Sequence, residues 1–186
     1  MSFAEQYRTR LRQTLESIPL DKVEEAIQVL AGARQEGRAI FVCGNGGSAA
    51  TASHFVCDMV KGASYGRQSR FRIQALTDGL PTITAYANDV GYDHVFVEQL
   101  RNFAAPGDVL IAISGSGNSP NVLRAVEYAN SAGCSTIGLS GRDGGRLAQL
   151  VKLSIHVPEP HMGRIEDAHL HICHMIGYYF MEAAPG

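Results

Sequence analysis

A chain of 186 residues that is 45% hydrophobic can bury one sizeable core, and its length leaves little room for a second, so a single domain over residues 1–186 is expected. Its 16 Lys and Arg against 18 Asp and Glu leave a formal charge of −2, and no basic run occurs, which disfavours nucleic acid and anionic membrane as partners. The opening "MSFAEQYRTRLRQTLESI" mixes charge with apolar residues at helical spacing, offering neither a signal-peptide core nor a membrane-spanning run, so a cytoplasmic location is expected.

In chain order, Phe3, Tyr7, Leu11 and Leu15 recur every fourth residue, and Val23, Ala26, Ile27 and Leu30 form a second stripe after Asp21, the expected N-cap. Two amphipathic helices within residues 1–36 follow. They precede the first strand and are not crossovers, which points to a subunit interface for their stripes; packing on their own sheet is the alternative. Five short apolar runs come next: "AIFVCG", "RIQALTD", "DVLIAISG", "CSTIGLSG" and "KLSIHVPE". Helical patterns over residues 48–61, 81–87, 93–103, 120–132, 146–150 and 163–181 separate or follow them. This alternation predicts an α/β fold: a three-layer α/β/α sandwich around a five-stranded parallel sheet, preceded by two N-terminal helices. Cys43, Cys57, Cys134 and Cys173 lie in apolar segments with no C-x-x-C pair and read as reduced core thiols.

Two loops carry the chemistry. "GNGGS", Gly44 to Ser48, follows the first strand and opens a helix; "SGSGNS", Ser114 to Ser119, does the same after the third. Gly46, Gly47 and Gly115 let backbone approach an anion, helix-start N–H groups point at it, and Ser48, Ser114, Ser116 and Ser119 add hydroxyls. "GNGGSA" fits G-x-G-x-x-A, yet the acid a dinucleotide's ribose needs is missing, since Asp78 comes too late, and no G-x-x-x-x-G-K-[ST] exists. A small phosphate ester needs only the serine cradle, and a sugar phosphate fits best.

With these motifs in view, the sequence resembles the sugar isomerase (SIS) domain family, and within it the phosphoheptose isomerases. The resemblance runs through "GNGGSAATASHF", "ANDVGYDHVF", "GDVLIAISGSGNSPNVLRAVEYA", "GLSGRDGG" and "RIEDAHLHICHMI", in the family's order and spacing. It implies isomerisation of sedoheptulose 7-phosphate to D-glycero-D-manno-heptose 7-phosphate for lipopolysaccharide heptose. It also implies a homotetramer with active sites between subunits, phosphate on Ser48, Ser114, Ser116 and Ser119, and sugar hydroxyls on Asn45 and Asp89.

Moving a proton between C1 and C2 through an enediol needs a carbon base and an oxygen acid. His54 and Asp58, four residues apart, share one face of the helix leaving the first loop. Glu166 and His174, eight apart, are offset by about 80° on the last helix and can face a common cleft. The resemblance carries His54, Asp58, Glu166 and His174 onto one zinc site per subunit, two of whose ligands double as catalytic base and acid. Where the family's usual pattern has glutamate this chain has Asp58, and where it has glutamine this chain has Glu166. These changes leave the base role to either carboxylate, with His174 as proton donor. Gly62 stands where many members have an arginine. Two rival functions are a non-catalytic sugar-phosphate-binding member, as in a relative that binds a replication initiator and lacks the equivalent of His174, and an isomerase of another ketose phosphate.

Overall fold

The computed structural model describes residues 1–184; residues 185 and 186, the last two of the domain expected over 1–186, lie outside the described residues. α1 (Phe3–Glu16) starts from a reciprocal capping box: the Glu5 N–H donates to Ser2 Oγ at 3.3 Å and the Ser2 N–H to the Glu5 carboxylate at 2.7 Å. α2 (Leu20–Gln35) follows Pro19, so Asp21 is not the N-cap; it lies inside the first turn, where its charge complements the helix dipole. The predicted stripe of α2, Val23, Ala26, Ile27 and Leu30, is buried in its own chain's core with Ile40, Ile137 and Ile155, so for this helix the alternative of packing on its own sheet holds rather than a subunit interface. α1 buries only Thr14 completely.

Strands β1 (Ala39–Gly44), β2 (Arg72–Ala75), β3 (Val109–Ser114), β4 (Ser135–Ser140) and β5 (Leu153–His156) form one sheet. All pairs are parallel, in the order β2-β1-β3-β4-β5, with registers such as Ile40 opposite Val109 and Ile111 opposite Ile137. The connecting and closing helices are α3 (Gly47–Cys57), α4 (Leu80–Asp89), α5 (Val97–Phe103), α6 (Pro120–Ser131), α7 (Gly145–Leu150) and α8 (Met162–Tyr178). Alternate strand residues feed two cores, as the period of two demands. Ile40, Val42, Ile111, Ile137 and Leu139 pack with Phe55, Ile172 and Ile176 of α3 and α8. On the other face, Phe41, Cys43, Leu110 and Ala112 pack with Leu100, Val122, Val126 and Leu147 of α5, α6 and α7.

Three helices differ in detail from the sequence pattern. The segment expected over residues 48–61 leaves α-helical geometry at Asp58 for a π turn, Asp58–Gly62, and the last helix ends in another, Tyr179–Ala183. These two widened turns meet: a Cβ on Gly62 would collide with the side chain of Met181, so the position where the family resemblance suggests arginine is filled from the C-terminal helix instead. The third, expected over residues 93–103, begins as a 3₁₀ turn, Tyr92–His94, before α5. Cys43, Cys134 and Cys173 are buried, whereas Cys57 is exposed, on the outer face of α3. Among the described residues, no helix is long and apolar enough to cross a membrane.

Strand order reverses between β1 and β3, so the chain leaves their carboxyl ends toward opposite faces of the sheet and opens a crevice between the two loops. Both glycine-serine motifs border it.

Candidate active site

A cleft of about 250 Å³ lies at this crevice, lined by Asn45, Gly46, Gly47 and Ser48 from the first loop, by Ile113, Ser114, Gly115, Ser116 and Ser119 around the second, and by Met162 and Glu166 from α8. A larger hollow of about 310 Å³ at the opening residues of β1 and β2 has no comparable convergence of hydroxyls and helix starts. The smaller one is the candidate site.

Gly46 turns the chain into α3 with φ of 55°, a conformation that a side chain disfavours, and no side chain caps the helix start. The second loop is organised by its hydroxyls. Ser114 Oγ lies 3.1 Å from Ser119 Oγ and 3.5 Å from Ser116 Oγ, while the Asn118 N–H donates to Ser116 Oγ at 3.2 Å. The Asn118 N–H fills one acceptor site on Ser116, whose own proton can be shared with Ser114 Oγ or with a ligand. Ser119 precedes α6 without capping it; Pro120, the first helical residue, has no N–H, and the Val122 N–H donates to Asn121 Oδ1 at 3.0 Å. The start of α3 and this set of hydroxyls suit an anion with several acceptor oxygens.

The start of α7, where the "GRDGG" stretch Gly141 to Gly145 ends, braces this cradle from behind. The Leu147 N–H donates to the Gly117 carbonyl at 2.9 Å and the Arg146 N–H to Asn118 Oδ1 at 3.1 Å. Sequence spacing alone gave only a turn here.

A second group forms where α3 crosses α8. His54 Nε2 and His174 Nε2 are 2.9 Å apart, and Asp58 Oδ2 lies 3.3 Å from the first and 3.8 Å from the second. A tetrahedron built on metal–ligand bonds of about 2.0–2.1 Å has edges of about 3.3 Å, so the three spacings straddle what a bound divalent ion requires. The donors fit a metal: two imidazole nitrogens and one carboxylate oxygen, all within 4.8 Å of one another.

Glu166 is not in that group, which corrects the four-ligand set expected from the sequence. Eight residues of helix place it about 12 Å along the axis from His174, and its carboxylate rests against Gly47, where a Cβ would collide with it. There it makes no hydrogen bond or ion pair with other described residues and is the one charged group lining the cleft. Asp89, by contrast, does not line the cleft. It ends the exposed helix α4, which buries none of its side chains, and its Oδ1 accepts from Asn88 Nδ2 at 2.7 Å. Asn45 does line it, held by Asn121 and Tyr92, two residues that carried no signal beyond their place in the motifs.

The start of α8 is anchored separately. Glu159 accepts from Arg164 at 2.8 Å and from Thr14 of α1 at 2.6 Å, and the hydrogen bond from Arg164 is the main reason its pKa is lowered to about 2. Tyr7 donates to Asp167 at 2.7 Å, beside Glu166. Thus α1 fixes the helix that carries both Glu166 and His174.

A family model described as the SIS domain matches residues 2–141. The phosphoheptose isomerase of Citrifermentans bemidjiense is 42% identical over 154 residues, covering 83% of this chain and 80% of that protein. Among solved structures, phosphoheptose isomerase GmhA from Neisseria gonorrhoeae matches with a TM-score of 0.86 at 36% identity, covering 96% of this chain and 94% of that one. A phosphoheptose isomerase from Francisella tularensis gives 0.87 at 26% identity, over 98% of this chain and all of its own.

Proposed function

The chain belongs to the SIS-domain family and, within it, to the phosphoheptose isomerases, and from that premise we propose that it converts sedoheptulose 7-phosphate to D-glycero-D-manno-heptose 7-phosphate. It is an aldose–ketose isomerase. The observation that carries the reading is the placement of a hydroxyl-lined anion cradle and a free carboxylate in one cleft, with the His54, Asp58 and His174 group on the same two helices, α3 and α8.

The substrate phosphate docks on Ser48, Ser114, Ser116 and Ser119 and on the start of α3, which contributes partial positive charge. Asn45 holds a sugar oxygen. A carboxylate removes the proton from C1 of the ketose, giving the enediol, and the proton returns to C2 to give the aldose. We assign this role to Glu166, which is unpaired and faces the cleft, whereas Asp58 is committed to two histidines. We assign His174 to the metal group; it does not line the cleft that holds Glu166, and His174→Asn tests the proton-donor role expected for it.

His54, Asp58 and His174 would hold a divalent ion, and zinc suits their donor set; when bound, it would supply Lewis-acid stabilisation of negative charge on the substrate oxygens. We further propose that the protein is a homotetramer assembled through α1 and α2. The support is an outward apolar surface, with Phe3 80% and Leu20 61% exposed. A cytoplasmic site of action in heptose supply for lipopolysaccharide follows from the substrate.

Incubation of the purified protein with sedoheptulose 7-phosphate in deuterated water, followed by NMR, tests the function. Aldose carrying deuterium at C2 is expected, because the enediol exchanges its proton with solvent. Unchanged ketose at micromolar enzyme refutes the reading.

A further inference from the structure

We propose that Tyr92 is a positioning residue which, with Asn121, makes Asn45 a hydrogen-bond donor only toward the substrate; this rests on the isomerase reading of the same cleft.

The argument is one of counting donors and acceptors. Asn121 is 1% exposed, and the Val122 N–H, which can only donate, gives its proton to Asn121 Oδ1 at 3.0 Å. That fixes which end of the Asn121 amide is oxygen. Its Nδ2 then donates to Asn45 Oδ1 at 2.9 Å, and Asn45 Nδ2 donates back to Asn121 Oδ1 at 2.9 Å. The Tyr92 hydroxyl donates to the same Asn45 Oδ1, also at 2.9 Å. A carbonyl oxygen has two lone pairs, and both are now used. One Nδ2 proton remains, on a residue that lines the cleft beside the serine cradle. Asn45 therefore presents a single N–H and accepts nothing. It recognises a substrate oxygen through a lone pair, and a hydroxyl that must donate at that point finds no acceptor.

Tyr92 is held for this task although 53% exposed. Its turn is pinned by Val95 and Phe96, 0% and 2% exposed, in the core between the sheet and α6. Asn121 closes one lone pair from the interior, and Tyr92 closes the other from the surface.

Removing only the hydroxyl, as Tyr92→Phe, reopens an acceptor on Asn45 while keeping the ring. The expected result is a rise in KM for sedoheptulose 7-phosphate of about 3- to 10-fold, the worth of one neutral hydrogen bond, with kcat within about twofold and the melting temperature unchanged. In an Asn45→Ala background the same change should do nothing further, because Tyr92 acts through Asn45. An unchanged KM, or a full additional loss in the Asn45→Ala background, overturns the proposal. A second readout does not depend on turnover: the Asn45 side-chain amide resonances, identified by their loss in Asn45→Ala, should shift in Tyr92→Phe. If wild-type protein leaves sedoheptulose 7-phosphate unchanged, the isomerase reading fails by itself and these resonances decide Tyr92; their staying in place refutes its role.

Discussion

His54 Nε2 and His174 Nε2 lie 2.9 Å apart although 120 residues separate them in the chain. Asp58 lies beside both, and the three form a group that could hold a metal ion. Protein purified without chelator should carry about one equivalent of divalent metal per chain by elemental analysis, and His54→Ala should lose most of it. His174→Asn should reduce turnover by at least the roughly 10²–10⁴-fold typical of general acid–base catalysis, with an unchanged circular dichroism spectrum. Full metal content in His54→Ala would remove that residue from the site.

Ser116→Ala removes one hydroxyl of the Ser114, Ser116 and Ser119 set in the second loop. Hydrogen bonds to a charged group contribute roughly 1.5–3 kcal/mol, so affinity for the phosphorylated sugar should fall by about 10-fold or more. The dephosphorylated sugar should bind as weakly to the variant as to the parent, as titration calorimetry can show. Equal losses for both would place the phosphate elsewhere.

Glu166 separates base from metal. Glu166→Gln should keep the metal and lower kcat by about 10²-fold or more, since only the carbon base is lost. Gly47→Ala offers an independent check, because its new methyl group would collide with the Glu166 carboxylate. It should reduce kcat with metal content intact, and a rise in activity on Glu166→Gln would exclude Glu166 as the base.

His169 gives the fold a pH dependence. Burial lowers its pKa from 6.5 to about 4, outweighing a backbone contact with Ser140 that raises it. Between those values the unfolded chain binds a proton that the folded one refuses, so the contribution is present above pH 6.5 and lost as pH falls toward 4; its size is on the order of 3 kcal/mol. Urea unfolding at pH 7.5 and pH 4.5 should show this drop, and His169→Leu should shrink it. Glu159, with its pKa lowered to about 2, loses its contribution only in more acidic solution. An identical drop in both proteins would assign the effect to other groups.

Light scattering should give a mass near four times the 20.0 kDa chain, and charged residues in place of Phe3 and Leu20 should lower it. A monomer at micromolar concentration would reject the assembly.

The sequence by itself determined the layers, the parallel sheet and the cradle. Alternating strand and helix periods leave few topologies, and Ser114, Ser116 and Ser119 lie within a single loop, so local spacing alone brings them together. It also determined the pairing of His54 with Asp58, because residues four apart on a helix share a face. Tertiary structure decided where α8 lies against α3, and with it that His174 reaches the pair while Glu166, at a workable angle but too far along the axis, meets Gly47 instead. A helical repeat fixes direction around an axis; it says nothing of which neighbour stands at a given height. For the same reason Asn45 could be read as a ligand from its loop, but its restriction to donation comes from Asn121 and Tyr92, which only the packing of α6 and the turn before α5 brings to it.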